Sequence, residues 1–232
     1  MMFDRKSLSG PIVTAVIALS ALAPAANAEV SASAGIASTY LWRGMDLGSG
    51  TPAISGELKF STNGFYSGIW GTSGDEAMGS EYDLYAGYGG EAGDFSYGLS
   101  AISYNYPTLA NTEFGDYSDA VVSLGYGPVS FGAYIPVGNV NDGGDYMYFT
   151  LGATLASFSV LLGIHSNDVA GGGVVSCDVD AGSTKTKCSP VHLDFSYAYN
   201  DNLSFTFSQF IADQPFEDKL KFVVSYSLPI GE

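Results

Sequence analysis

The chain has 232 residues and a formal net charge of −16, with 24 acidic against 8 basic residues. That acid excess opposes nucleic acid, and no basic stripe offsets it, so a nucleic-acid reader is set aside. Thirty glycines with 16 tyrosines and 14 phenylalanines, and no apolar stripe of helical period, point to an all-β chain.

The first 28 residues form a segment apart. Arg5 and Lys6 precede an apolar run at 12–22, and Ala26-Asn27-Ala28 is a small-x-small cleavage site before Glu29. The run is shorter than the ~20 residues of a membrane helix, so 1–28 reads as a secretory signal peptide and 29–232 as one exported domain.

Twelve strands are expected in the exported part: 30–42, 53–60, 65–72, 81–89, 95–104, 117–126, 129–137, 146–155, 158–165, 191–199, 203–211 and 219–228. The hairpin at 81–104 sets the pattern. Tyr82, Leu84, Ala86 and Tyr88 alternate with Asp83, Tyr85, Gly87 and Gly89; after a Gly-containing turn, Phe95, Tyr97, Leu99 and Ala101 alternate with Ser96, Gly98 and Ser100. Period two broken by a short turn is an antiparallel hairpin with one apolar face. Later strands repeat it, with Phe131, Leu151, Phe195 and Phe222 on apolar faces and Ser130, Gly132, Ser196 and Ser225 opposite.

The connections alternate in length. Tight ones lie at 61–64, 90–94, 127–128, 156–157 and 200–202, and longer ones at 43–52, 73–80, 105–116, 138–145, 166–190 and 212–218. Short turns on one side and long loops on the other, with an even strand number, characterise an outer-membrane barrel. Since lipid offers nothing to an open sheet edge, 30–42 should close on 219–228. Aromatics gather where interfacial girdles would sit, with Phe60, Phe65, Phe95, Tyr126 and Phe158 near short turns and Trp42, Trp70, Tyr82, Tyr106 and Tyr117 near long loops.

Candidate functional residues follow from the polar faces. Arg43, Glu57, Lys59, Asp83, His192 and Asp194 are expected to line the lumen, where charges tune selectivity. His192, Asp194 and Ser196 share a face, so a wall hydrolase is conceivable, but no motif orients a nucleophile and no enzyme is expected. Cys177 and Cys188, the only cysteines, lie in the longest loop and are expected to form a disulfide in an oxidising compartment. Acids concentrate in the long connections: Asp46, Asp75, Glu76, Glu113, Asp116, Asp142, Asp145, Asp168, Asp178, Asp180, Asp213, Glu217 and Asp218. A negative mouth would concentrate cations or bridge through divalent ions to lipopolysaccharide. No loop has the ordered acidic spacing of a dedicated calcium site, and no cofactor is implied.

The motifs Tyr40-Leu41-Trp42-Arg43-Gly44, Pro52-Ala53-Ile54-Ser55-Gly56, Asn63 to Gly71 (NGFYSGIWG), Glu81 to Tyr88 (EYDLYAGY) and Tyr104-Asn105-Tyr106-Pro107 resemble the start of the TorF family of porins, over roughly residues 34–107. The resemblance implies a Gram-negative outer-membrane β-barrel channel and carries over no functional residues. One departure is the C-terminus, where Tyr226 rather than a terminal aromatic is the last ring. The expectation is an all-β, transmembrane, antiparallel up-and-down barrel of about 12 strands. It would admit small hydrophilic solutes, with cations preferred, and meet outer-membrane lipid and lipopolysaccharide. Alternatives are a non-conducting structural or adhesive barrel, the hydrolase, and a soluble periplasmic β protein.

Overall fold

The computed structural model describes residues 28–110, 112–138, 146–166, 168–169, 187–213 and 219–230. The expected signal peptide, except for Ala28, lies outside the described residues, as does Cys177. The described chain is all β: β1 (Glu29–Ala37), β2 (Leu41–Trp42), β3 (Met45–Asp46), β4 (Ala53–Thr62), β5 (Phe65–Asp75), β6 (Gly79–Ala92), β7 (Phe95–Asn105), β8 (Tyr117–Tyr126), β9 (Val129–Pro136), β10 (Met147–Leu155), β11 (Phe158–Ser166), β12 (Asp168–Val169), β13 (Lys187–Cys188), β14 (Val191–Ala198), β15 (Leu203–Ala212) and β16 (Lys221–Ile230).

Twelve of these close into one antiparallel barrel in the order β1-β16-β15-β14-β11-β10-β9-β8-β7-β6-β5-β4. The seam is continuous: β1 pairs with β4 from Glu29↔Ser61 to Ala37↔Ala53, and with β16 from Ala32↔Ile230 to Ala37↔Ser225. Closure leaves no barrel edge unpaired. Short turns set the register at one end. Asn63 and Gly64, with φ of 48° and 83°, form the left-handed pair that a two-residue hairpin between twisted strands requires.

The side chains are sorted as the alternation predicts. Ile54, Leu58, Leu99, Leu151, Leu155, Phe195, Phe222 and Leu228 are exposed outward, with Leu155 74% accessible. Ser100, Thr150, Ser196, Thr206, Ser208 and Ser225 are buried inward. This is the reverse of a soluble barrel. An apolar belt around the whole circumference exceeds the few hundred Å² tolerated on a monomer in water, at ~25 cal/mol for each Å². The closed barrel therefore fits an outer-membrane barrel. No described helix is long and apolar enough to cross a membrane, which says nothing against strands doing so.

Most boundaries shift by one to three residues from the sequence expectation, and three differences bear on the site or the seam. The first strand, expected over 30–42, stops at Ala37; residues beyond it turn inward and form the separate hairpin β2–β3. The connection expected at 73–80 is mostly strand, because β5 and β6 extend to Asp75 and from Gly79 across a register shift between Thr72 and Asp75. The last strand runs on through Pro229 to Ile230. Proline is accommodated there because pairing with β15 ends at Tyr226, leaving β1 as the only neighbour.

Candidate functional site

The β2–β3 hairpin is the centre of the lumen at the long-loop end. Leu41 pairs with Asp46 and Trp42 with Met45, leaving Arg43 and Gly44 as its two-residue tip at φ of 46° and 82°. A left-handed arginine is disfavoured by about 1–2 kcal/mol, so its side chain must be held by other contacts. The stem is pinned as well. Thr39 Oγ1 donates to Asp46 Oδ1, Leu47 N to the Tyr40 carbonyl at 2.8 Å, and Glu76 N to the Leu47 carbonyl at 2.9 Å.

Arg43 is buried and grips the opposite wall. Nη2 donates to Asp119 Oδ2 at 2.6 Å and to the Tyr104 hydroxyl at 3.1 Å, while Nη1 donates to the Tyr146 hydroxyl at 3.0 Å. The guanidinium carbon also lies 4.4 Å from the Trp42 ring centre, 4.9 Å from that of Tyr134 and 4.8 Å from that of Tyr148. A flat, weakly hydrated cation suits both kinds of contact, which lysine would not reproduce. In the twelve-strand ring β9 stands six places from β1, and the partners of Arg43 come from β7, β8, β9 and β10 or the residue preceding it. The hairpin therefore crosses the lumen.

Two histidines lock the tip. The Arg43 carbonyl lies 2.9 Å from His165 Nε2, and since a carbonyl only accepts, Nε2 carries the proton. Nδ1 of His165, 3.1 Å from the Tyr146 hydroxyl, is then the acceptor of a neutral ring. The same logic applied to His192 makes Nδ1 donate to Asp194 Oδ1 at 2.9 Å and Nε2 accept from the Tyr148 hydroxyl at 2.8 Å. Both imidazoles are fully buried. Space for them is specific: a Cβ on Gly44 would lie 2.5 Å from His192 Cγ, and one on Gly163 2.0 Å from His192 Nε2.

Beside this hub lies an acidic group. Glu81 Oε2 accepts from the Tyr40 hydroxyl at 3.0 Å and Oε1 from the Tyr106 hydroxyl at 3.2 Å. Burial, and next the Glu81 charge, push the phenols of Tyr40 and Tyr106 above their ordinary range, so both remain donors. Asp83, two residues along the same face, sits in register between Trp70 on β5 and Tyr104 on β7. Its Oδ1 is buried without a hydrogen-bond partner. Nearer the short turns, the Tyr85 hydroxyl donates to Glu57 Oε1 at 2.5 Å and Lys59 Nζ lies 5.3 Å from the Tyr66 ring centre.

The sequence candidates thus fall at different places. Glu57, Lys59, Asp83, His192 and Asp194 are on β4, β6 and β14. Arg43 is not on the wall but at the tip of the hairpin. Ser196 bonds Thr206 Oγ1 at 2.9 Å instead of His192, so the arrangement a serine hydrolase would need is not formed there. Asp119, Glu81, His165 and Tyr104, Tyr134, Tyr146 and Tyr148 were not singled out by sequence. The parity of their strands marks several as inward, but only the hairpin's inward fold makes them partners. Among loop acids, Asp75 accepts from Ala77 N and Met78 N, Asp116 from Glu113 N, and Asp213 from Ser189 N, each organising local backbone. Asp142, Asp145, Asp178, Asp180, Glu217 and Asp218 lie outside the described residues, as does the side chain of Asp168. Among the described residues, no group of three or more His, Cys, Asp or Glu could hold a metal ion.

Residues 21–226 match the Gcw_chp family, described as a bacterial protein of unknown function. The chain belongs to the Gcw_chp family. None of the curated proteins matches the chain. In this Gcw_chp chain, the buried hub joins the inward hairpin to six strands of the wall, β7, β8, β9, β10, β11 and β14.

Proposed function

We propose that the protein is an outer-membrane diffusion channel for small hydrophilic solutes, held at low conductance by the β2–β3 hairpin with Arg43 as its latch. The observation that carries this reading is an apolar exterior around a polar lumen that the hairpin crosses at one end. A lumen lined by serine, threonine and glycine favours water and solutes over lipid, and the resemblance of residues 34–107 to the TorF porins agrees. The hairpin connects β1 to β4 and the Arg43 seat lies about half-way around the ring, so rupture of the hub would clear the path without breaking the barrel ladder.

The obstruction also favours a second reading, a non-conducting barrel that acts through its external loops on lipopolysaccharide or other partners. Planar-bilayer recording of the refolded mature chain and of a variant with residues 39–47 replaced by a short Gly-Ser link separates the two. Rare, small openings in the parent and discrete, at least tenfold larger ones in the variant support the channel. A folded, inserted variant that remains silent favours the structural barrel. The export signal and the Cys177–Cys188 bridge belong to the same reading: Cys188 is buried in β13, and thiol titration of the exported protein without reductant should find none free.

A further inference from the structure

We infer that the long-loop end of the lumen contains a binding position for a monovalent cation, formed by Asp83 and Glu81 with the phenol oxygens of Tyr40 and Tyr106. The inference deepens the channel reading, on which it rests for its consequence: the position makes the path prefer cations.

The first ground is charge. Asp75, Glu81, Asp83 and Asp119 are all buried here; Asp75 accepts from the Ala77 and Met78 amides, and Arg43, the guanidinium among them, is taken by Asp119 at 2.6 Å. Two carboxylates are left on one face of β6, two residues apart. A buried anion is stable only with a counter-charge or a full set of donors. Glu81 has two phenol donors, one on each oxygen.

The second ground is independent of the count. Asp83 is 5% exposed and its Oδ1 has no hydrogen-bond partner. The Asp83 carboxyl also lies within hydrogen-bonding reach of the Glu81 carboxyl, and two acids this close need a cation or a shared proton between them. The oxygens of the adjoining Glu81 group define the ion. Carboxylate and phenol oxygens are hard ligands, which select alkali or alkaline-earth ions over transition metals. With Asp75 turned to the Ala77 and Met78 amides and Asp119 to Arg43, two carboxylates fall short of a divalent cage, and among the described residues no group of three or more His, Cys, Asp or Glu could hold a metal ion. A singly charged ion that sheds part of its water and moves on is the ligand that fits, bound strongly enough to enter and weakly enough to leave.

The test has two arms. In the first, crystals of the mature wild-type protein are soaked in thallium(I), an anomalous scatterer that stands in for potassium. A peak within ligand distance of Asp83 Oδ1 that is absent in D83N supports the site. An empty map overturns it and leaves a proton shared by the two acids as the account of the orphan. In the second, reversal potentials are measured in a potassium chloride gradient for the link variant that replaces Arg43 but restores Tyr40, alone and with D83N, E81Q or D83E. Cation-over-anion preference should fall about tenfold in D83N and E81Q, as loss of one charge in a site of intermediate dielectric predicts, and persist in D83E. Unchanged preference in a conducting D83N overturns the inference while sparing the channel. A silent background overturns the channel, and the thallium arm still decides the site.

Discussion

The two ends of the lumen are built by different rules. Toward the short-turn end the contacts are pairs between nearby strands, Ser196 with Thr206, Tyr85 with Glu57 and Lys59 over the Tyr66 ring. At the long-loop end a folded-in hairpin, two histidines, several tyrosines and a buried ion pair interlock across the full width. The same twelve strands enclose both. The contrast teaches that the barrel fixes where side chains point, while a single turn between its first two strands decides how the long-loop end is filled.

The largest blow to this contrast is removal of the latch. R43A leaves Asp119 buried without its partner and should cost about 3–5 kcal/mol, read as a lower unfolding midpoint in detergent, with conductance rising toward that of the link variant. If R43A unfolds no more readily than the parent, the hub is not what holds the hairpin. Next in size, adding D119N to R43A should recover part of that loss, and a coupling of about 0.5–3 kcal/mol in the double-mutant cycle is the expected reading. G163A comes third. Its new methyl would collide with His192, and overpacking of this kind costs about 1–3 kcal/mol.

Alkaline titration gives a smaller, signed effect. Tyr40 and Tyr106 hold their protons more tightly folded than unfolded, so their contribution is intact below about pH 10 and is lost as pH rises beyond it. Y106F should flatten the alkaline fall in midpoint; an unaltered slope would remove Tyr106 from the account. The smallest effect belongs to the other end. S196A should change stability by no more than about 0.5–1.5 kcal/mol and leave conductance untouched. A marked change in current would mean that the short-turn end, too, limits passage.

Much of the barrel is legible in the sequence because period two repeats in every strand. Phe131, Leu151 and Phe222 could be assigned outward, and Ser130, Ser196 and Ser225 inward, from alternation alone. The alternation of turn lengths supplies the topology. The latch is another matter. Arg43 lies in a stretch that looks like the end of the first strand, and its neighbours Tyr40, Leu41 and Trp42 have good strand propensity. What diverts them is tertiary: a left-handed Arg43-Gly44 tip whose hydrogen-bond partners lie 61 to 122 residues away in sequence. No local window contains that information. His192 and Asp194 were visible as a pair because they share a face; Tyr148, which completes their chain of hydrogen bonds, sits 44 residues from His192.

The position of the hairpin between β1 and β4 has a consequence for how the barrel is made. Those strands are first in the chain, and one of them also forms the closing seam with the last. Yet the seat of Arg43 is assembled from β7 to β11, which arrive in mid-chain. Docking of the tip is thus a long-range event that waits for the far wall, and the turn stays unsatisfied until then. Seating of the hairpin would therefore mark the moment at which a growing sheet has become a finished cylinder.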